Sequence, residues 1–232
     1  MKESISKYSI EVNGRIVEAC EKYDRDADDI TIIAVTKTHP ASLIRMAVAS
    51  GFHNIGESRI QEAEPKIKEI GSIARFHLIG HLQSNKAKKA VELFDVIQSV
   101  DSLKLAEEIS KRAAEIDRTL ECYLQVNCSG EEQKYGCAPE ETLALAEQIR
   151  AFDNINLTGL MTIGPYVEEE EIIRSAYSKC YQLYAQCRDK FGDDFDTLSM
   201  GMSDDLELAI AEGSTMIRLG TALFGPRGDA SL

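Results

Sequence analysis

The chain has 232 residues, 44% of them hydrophobic and 28% charged, which is ordinary for a globular domain and long enough to bury one sizeable core. Its formal net charge of −13 opposes binding to polyanions, and its one basic cluster, Lys86, Lys88 and Lys89, reads as a solvated helix face, so no nucleic-acid partner is expected. No stretch approaches the roughly 20 apolar residues of a membrane span, so no membrane partner is expected either.

The N-terminal run MKESISKYSIEVNGRIVEAC has no continuous apolar core and patterns as an amphipathic helix rather than a signal peptide. From there, short β-rich runs alternate with helical patterns. The strands are expected at Ile30–Val35, Asn54–Gly56, Phe76–Gly80, Val96–Val100, Cys122–Asn127, Leu157–Ile163, Thr197–Gly201 and Met216–Gly220. Helices are expected between them at Ala41–Ser50, Arg59–Ile70, Asn85–Leu93, Ser102–Ile116, Pro139–Ala151, Glu168–Lys190 and Asp204–Glu212. Pro139 suits an early helical position, and Ser203 ahead of Asp204 and Asp205 reads as an N-cap.

No linker or low-complexity tract divides the chain, which predicts one domain over residues 1–232. Eight strands with intervening helices predict a single-domain (β/α)8 barrel with an extra N-terminal helix. An open doubly wound sheet is the alternative, but no G-x-G-x-x-G follows the first strand. The six cysteines form no C-x-x-C pair and the four histidines match no metal-ligand spacing, so reduced thiols, a cytoplasmic address and no metal site are expected.

In such a barrel, chemistry belongs at the carboxyl ends of the strands. Lys37 follows the first strand and shares its alternation with Thr31, Ile33 and Val35, which points it inward. Burial lowers a lysine's pKa, and a neutral amine attacks aldehydes; a lysine reaching past the strand end into water is the competing reading. Ser203, Gly201, Gly220 and Thr221 lie after the last two strands, where barrels often bind phosphate; a plain capped helix competes there. Arg218 sits in the middle of an apolar strand and needs an acceptor, either a buried carboxylate or a pyridine nitrogen. Glu57 at a strand end is a candidate base or the structural partner of a cation. Tyr177, Tyr181 and Tyr184 have the spacing of helix packing.

The runs AVTKTHP (34–40), NIGESRIQE (54–62), FHLIGHLQSNK (76–86), LQVN followed by KYG (124–127, 134–136), GLMTI (159–163), LSMGMSDD (198–205) and GSTMIRLGTALFG (213–225) come in a familiar order. Together they resemble the pyridoxal phosphate homeostasis protein family. The resemblance implies a barrel of the alanine-racemase N-terminal type, binding pyridoxal 5′-phosphate (PLP) as a Schiff base on Lys37. It also implies that Ser203, Gly220 and Thr221 hold the phosphate and that Arg218 faces the pyridine nitrogen. The family usually has asparagine where this chain has Ser58; that asparagine approaches the cofactor ring, and the shorter serine reaches less far.

The function so implied is a carrier or buffer of the cofactor without a catalytic reaction, acting as a monomer whose partners are apo forms of PLP-dependent enzymes. An amino-acid racemase is the alternative, and a barrel aldolase using Lys37 is a third reading. Racemisation wants acid–base groups on both faces of the substrate. In the alanine-racemase architecture the opposite group comes from a second domain, which a chain ending at Leu232 is expected to lack.

Overall fold

The computed structural model describes residues 2–225, with side chains from Lys7 onward. Eight parallel strands close into a barrel in chain order: β1 (Thr31–Val35), β2 (Asn54–Glu57), β3 (Arg75–Leu78), β4 (Val96–Val100), β5 (Leu120–Gln125), β6 (Ile155–Met161), β7 (Thr197–Ser199) and β8 (Met216–Leu219). Closure is made by β8 beside β1, with Ile33 opposite Arg218 and Ala34 opposite Leu219. The expected (β/α)8 class is therefore the observed one.

Strand alternation sorts the side chains into two cores. Ile33, Val35, Val96, Tyr123, Met161 and Met216 fill the barrel itself. Their strand neighbours, such as Ile55, Leu78, Ile97, Leu124, Leu198 and Ile217, point outward into a larger core under the helices. That ring comprises α1 (Lys2–Lys22), α2 (Ala41–Ala49), α3 (Ile60–Ile70), α4 (Ala87–Leu93), α5 (Leu103–Ala114), α6 (Thr142–Arg150), α7 (Glu170–Phe191), α8 (Leu206–Ala211) and α9 (Thr221–Phe224). In α5 the local logic is plain. Ser102 caps it by accepting from the Leu105 N–H at 3.4 Å, and Leu105, Ala106, Ile109 and Ala113 form the buried face. Truncating Leu105 to alanine should cost about 2–5 kcal/mol, the usual range for a buried leucine.

The extra N-terminal helix packs against α8 and α9, the helices that flank the last strand. Several expected helix boundaries shift by one to three residues. Pro139–Glu141 forms a 3-10 turn ahead of α6, and α8 begins at Leu206 rather than Asp204. The short α9 had no expected counterpart.

Candidate functional site

Strands β2, β1, β8 and β7 are consecutive around the barrel, so their carboxyl ends bring Ser58, Lys37, Gly220 with Thr221, and Ser203 to one half of the mouth. Lys37 lies beyond the end of the first strand rather than within it. The strand stops at Val35, and Thr36 is the last buried residue. The His39 N–H then donates to the Thr36 carbonyl at 3.1 Å, closing a turn with Thr38 at φ +68°. Lys37 occupies the second position of that turn and is exposed at the mouth. Alternation ends where the strand ends.

Ser203 is not the helix cap that its sequence context suggests. Its Oγ accepts from the N–H groups of Gly220 (3.3 Å) and Ala222 (3.2 Å), tying the β7 loop to the start of α9. The capping position belongs to Asp205, whose carboxylate instead takes the Met202 N–H at 2.6 Å and the Tyr177 hydroxyl at 2.8 Å. Asp205 is buried and turned inward, so it does not crowd the mouth as an exposed anion would. The loop is also held from outside. Arg15 of α1 donates to the Ser203 carbonyl at 3.0 Å while its Nε meets Glu207 at 2.6 Å.

Two glycines here differ in kind. Gly201 has φ +97°, and a Cβ on it would stand 2.4 Å from the Ala209 methyl, so the fold itself demands glycine. Gly220 has φ −111°, and its Cβ would meet only Val35 atoms at 3.7 and 3.8 Å. Packing leaves room for a side chain at Gly220, and the glycine keeps that room open.

Arg218 lies inside the barrel, 5% exposed. It donates to Ser199 Oγ at 2.7 Å and to the Thr162 carbonyl at 2.8 Å, and it forms no ion pair among the described residues. Burial pulls its pKa down, countered by the fields of Tyr177, Asp205 and Cys180. Of a guanidinium's five N–H donors, these two bonds use only a part.

Behind Arg218 runs a polar chain that sequence reasoning missed. Ser199 Oγ donates to Gln98 Oε1 (2.7 Å), Gln98 Nε2 donates to His77 Nδ1 (3.1 Å), and His77 Nε2 faces Asn54 Oδ1 (3.2 Å). The signal available was four polar residues, Ser199, Gln98, His77 and Asn54, at inward positions of four different strands. Burial, with help from Arg75, lowers the His77 pKa to about 3, so the ring is neutral.

Glu57, read as a base or a structural partner, is fully buried and pairs with Lys66 at 2.8 Å. Tyr177 and Tyr184 are buried as packing residues, while Tyr181 is 44% exposed. All six cysteines are buried and unbridged, and the described residues contain no cluster suited to a metal. No helix among the described residues is long and apolar enough to cross a membrane.

Two clefts of about 1010 and 740 Å³ lie at the opposite end of the barrel, around Thr31, Thr197 and Thr215 and around Arg75 and Glu121. In the larger one Arg25 already serves the Ile210 and Ser214 carbonyls, and Glu212 is paired with Arg174. Those groups serve the fold. The candidate residues Lys37, Ser203, Gly220 and Thr221 follow the carboxyl ends of the strands instead.

Residues 15–228 match the family model of the alanine racemase N-terminal domain. The pyridoxal phosphate homeostasis protein of Pseudomonas aeruginosa is 42% identical over 97% of this chain and 96% of its own length. The chain belongs to the pyridoxal phosphate homeostasis protein family. Within reach of that family, the solved structure of PipY from Synechococcus elongatus with PLP bound is 36% identical, at a TM-score of 0.77, over 90% of this chain and all of PipY. An alanine racemase from Clostridium difficile shares the fold at a TM-score of 0.80 but only 15% identity, and this chain spans 58% of it.

Proposed function

We propose that this protein holds PLP at the mouth of the barrel, covalently on Lys37, and keeps the cofactor available without turning over a substrate of its own. The observation that carries the reading is the adjacency of β1 and β8. It sets the exposed Lys37 on the strand next to β8, at whose end the Ser203 Oγ gathers the Gly220 and Ala222 N–H groups, neutral donors that a phosphate would take over from the serine oxygen. The residues present fit the cofactor. Gly220 leaves open the space that a Cβ would fill, and Arg218 is a buried cation whose bonds go to neutral oxygens.

Bound there, the cofactor supplies a reactive aldehyde and an electron-withdrawing ring. Lys37 contributes the amine; Ser203, Gly220 and Thr221 hold the phosphate; Ser58 lies on the other flank of Lys37. Arg218 cannot give up its proton, so a ring nitrogen facing it stays unprotonated and the ring is a weaker electron sink. That handicap favours a carrier over an enzyme. On the same reading residues 1–232 form one cofactor-binding domain and the partners are apo-enzymes that use PLP. The protein is then a cytoplasmic monomer, in keeping with six unbridged thiols.

The test is a titration of cofactor-free protein with PLP, followed by absorbance. A saturable visible band is expected. Absence of any band, with tight binding of neither PLP nor its analogues, would overturn the reading.

A further inference from the structure

The turn that presents Lys37 is held in a conformation its sequence does not favour. Thr38 sits at φ +68°, the left-handed region, where a β-branched residue is a genuine outlier. Such strain persists only where the surroundings over-determine it. Here the surroundings are specific. Lys66, on the buried face of α3, donates to the Thr36 carbonyl at 2.9 Å, to Glu57 Oε1 at 2.8 Å and to Glu62 Oε1 at 2.8 Å. Glu62 in turn accepts the Thr38 N–H, and Glu57 accepts the Thr36 hydroxyl at 2.6 Å. The residues on either side of Lys37 are thus both tied to one ammonium and its two carboxylates.

The arrangement is costly. Glu57 Oε2 is buried without a partner among the described residues, and burial pushes the Glu57 carboxyl above its ordinary range against the pull of Lys66 and Thr36. A plain ion pair joining β2 to α3 would need neither the Thr36 carbonyl nor the Thr38 N–H. Lys66 itself makes a poor nucleophile, because three acceptors hold its ammonium in place.

We propose that Lys66, Glu57 and Glu62 are positioning residues for Lys37, clamping the Thr36–His39 turn so that the Lys37 amine meets the cofactor aldehyde in one orientation. The inference rests on the reading that Lys37 carries PLP. The step it serves is a condensation. The neutral Lys37 amine adds to the aldehyde carbon, a C=N bond forms, and the carbonyl oxygen leaves as water with the two amine protons; nothing is oxidised or reduced.

Two ligands separate positioning from general damage. Pyridoxine 5′-phosphate has the same ring and phosphate as PLP but an alcohol in place of the aldehyde, so it cannot condense with a lysine. In Lys66→Met and in the milder, half-exposed Glu62→Ala, PLP binding should weaken about tenfold, the worth of a charge-assisted hydrogen bond, while pyridoxine 5′-phosphate changes less than about twofold. Thermal melts identify a variant that fails to fold, and Glu62→Ala carries the test if Lys66→Met does. Equal losses for both ligands, or no loss for PLP in Glu62→Ala, would overturn the proposal. Lys37→Ala separates the two levels. It should abolish the preference for PLP over pyridoxine 5′-phosphate, and if the preference survives, the reading of Lys37 falls and the clamp with it.

Discussion

The Arg218 guanidinium donates to Ser199 Oγ at 2.7 Å, and that hydroxyl spends its own proton on Gln98 Oε1, also at 2.7 Å. Polarity therefore runs one way, from a cation near the mouth into the barrel. Gln98 completes the chain by donating to His77 Nδ1 and to Met216 Sδ. Each link orients the next, and all of it is shielded from water. Gln98→Leu should orphan the Ser199 hydroxyl and loosen Arg218, costing about 1–3 kcal/mol in urea unfolding. A change under about 0.5 kcal/mol, the scale of an ordinary surface substitution, would show that the chain is incidental.

His77 gives that chain a pH signature. The folded protein holds its pKa near 3, against 6.5 for an ordinary histidine, because the charged ring cannot be solvated in the barrel. A group depressed on folding contributes stability that is full above its unfolded pKa and is lost as pH falls toward the folded one. Between about pH 6.5 and 3 the unfolded chain binds the extra proton, so this residue alone removes about 1.4 kcal/mol per pH unit on acidification. His77→Gln keeps a donor and an acceptor but does not titrate. Its melting temperature should fall less steeply than wild type across that window, and parallel curves would refute the assignment.

The cradle after β7 and β8 should hold phosphate through neutral donors. Ser203→Ala and Thr221→Val should each weaken PLP binding by about 1–3 kcal/mol, read by titration. Wild-type affinity in both would place the phosphate elsewhere.

The barrel is legible in the sequence because parallel strands and amphipathic helices leave strong periodic marks. All eight strands fall where those marks put them, although β5 and β6 each begin two residues earlier, at Leu120 and Ile155. Parallel pairing extends through the less apolar Glu121 and Asn156, which sit opposite each other. The mouth was legible only in part. Strand parity puts Lys37 on the inward-facing register, but parity cannot announce that the strand stops at Val35. Ser203 looked like a cap because serine before two aspartates is a good cap, and only the three-dimensional approach of α9 gives its hydroxyl other work. Lys66 is invisible in sequence, one of two lysines on a charged helix, until folding buries it against Glu57.

The carrier reading predicts no enzyme-like turnover. Loaded protein assayed as a racemase, transaminase and decarboxylase should show no Lys37-dependent rate of about 1 s⁻¹ or more, the low end of ordinary enzymes. Transaminase chemistry, which leans on a protonated ring, should be the weakest. A Lys37-dependent rate above that level would make the protein an enzyme, with Lys37 as its base.

The central claim is that one lysine carries the cofactor. Borohydride reduction of the loaded protein, followed by peptide mass mapping, tests it most directly. The account predicts the reduced cofactor on the fragment containing Lys37 and loss of the label in Lys37→Ala. Label on another lysine, with Lys37→Ala still absorbing in the visible, would contradict it.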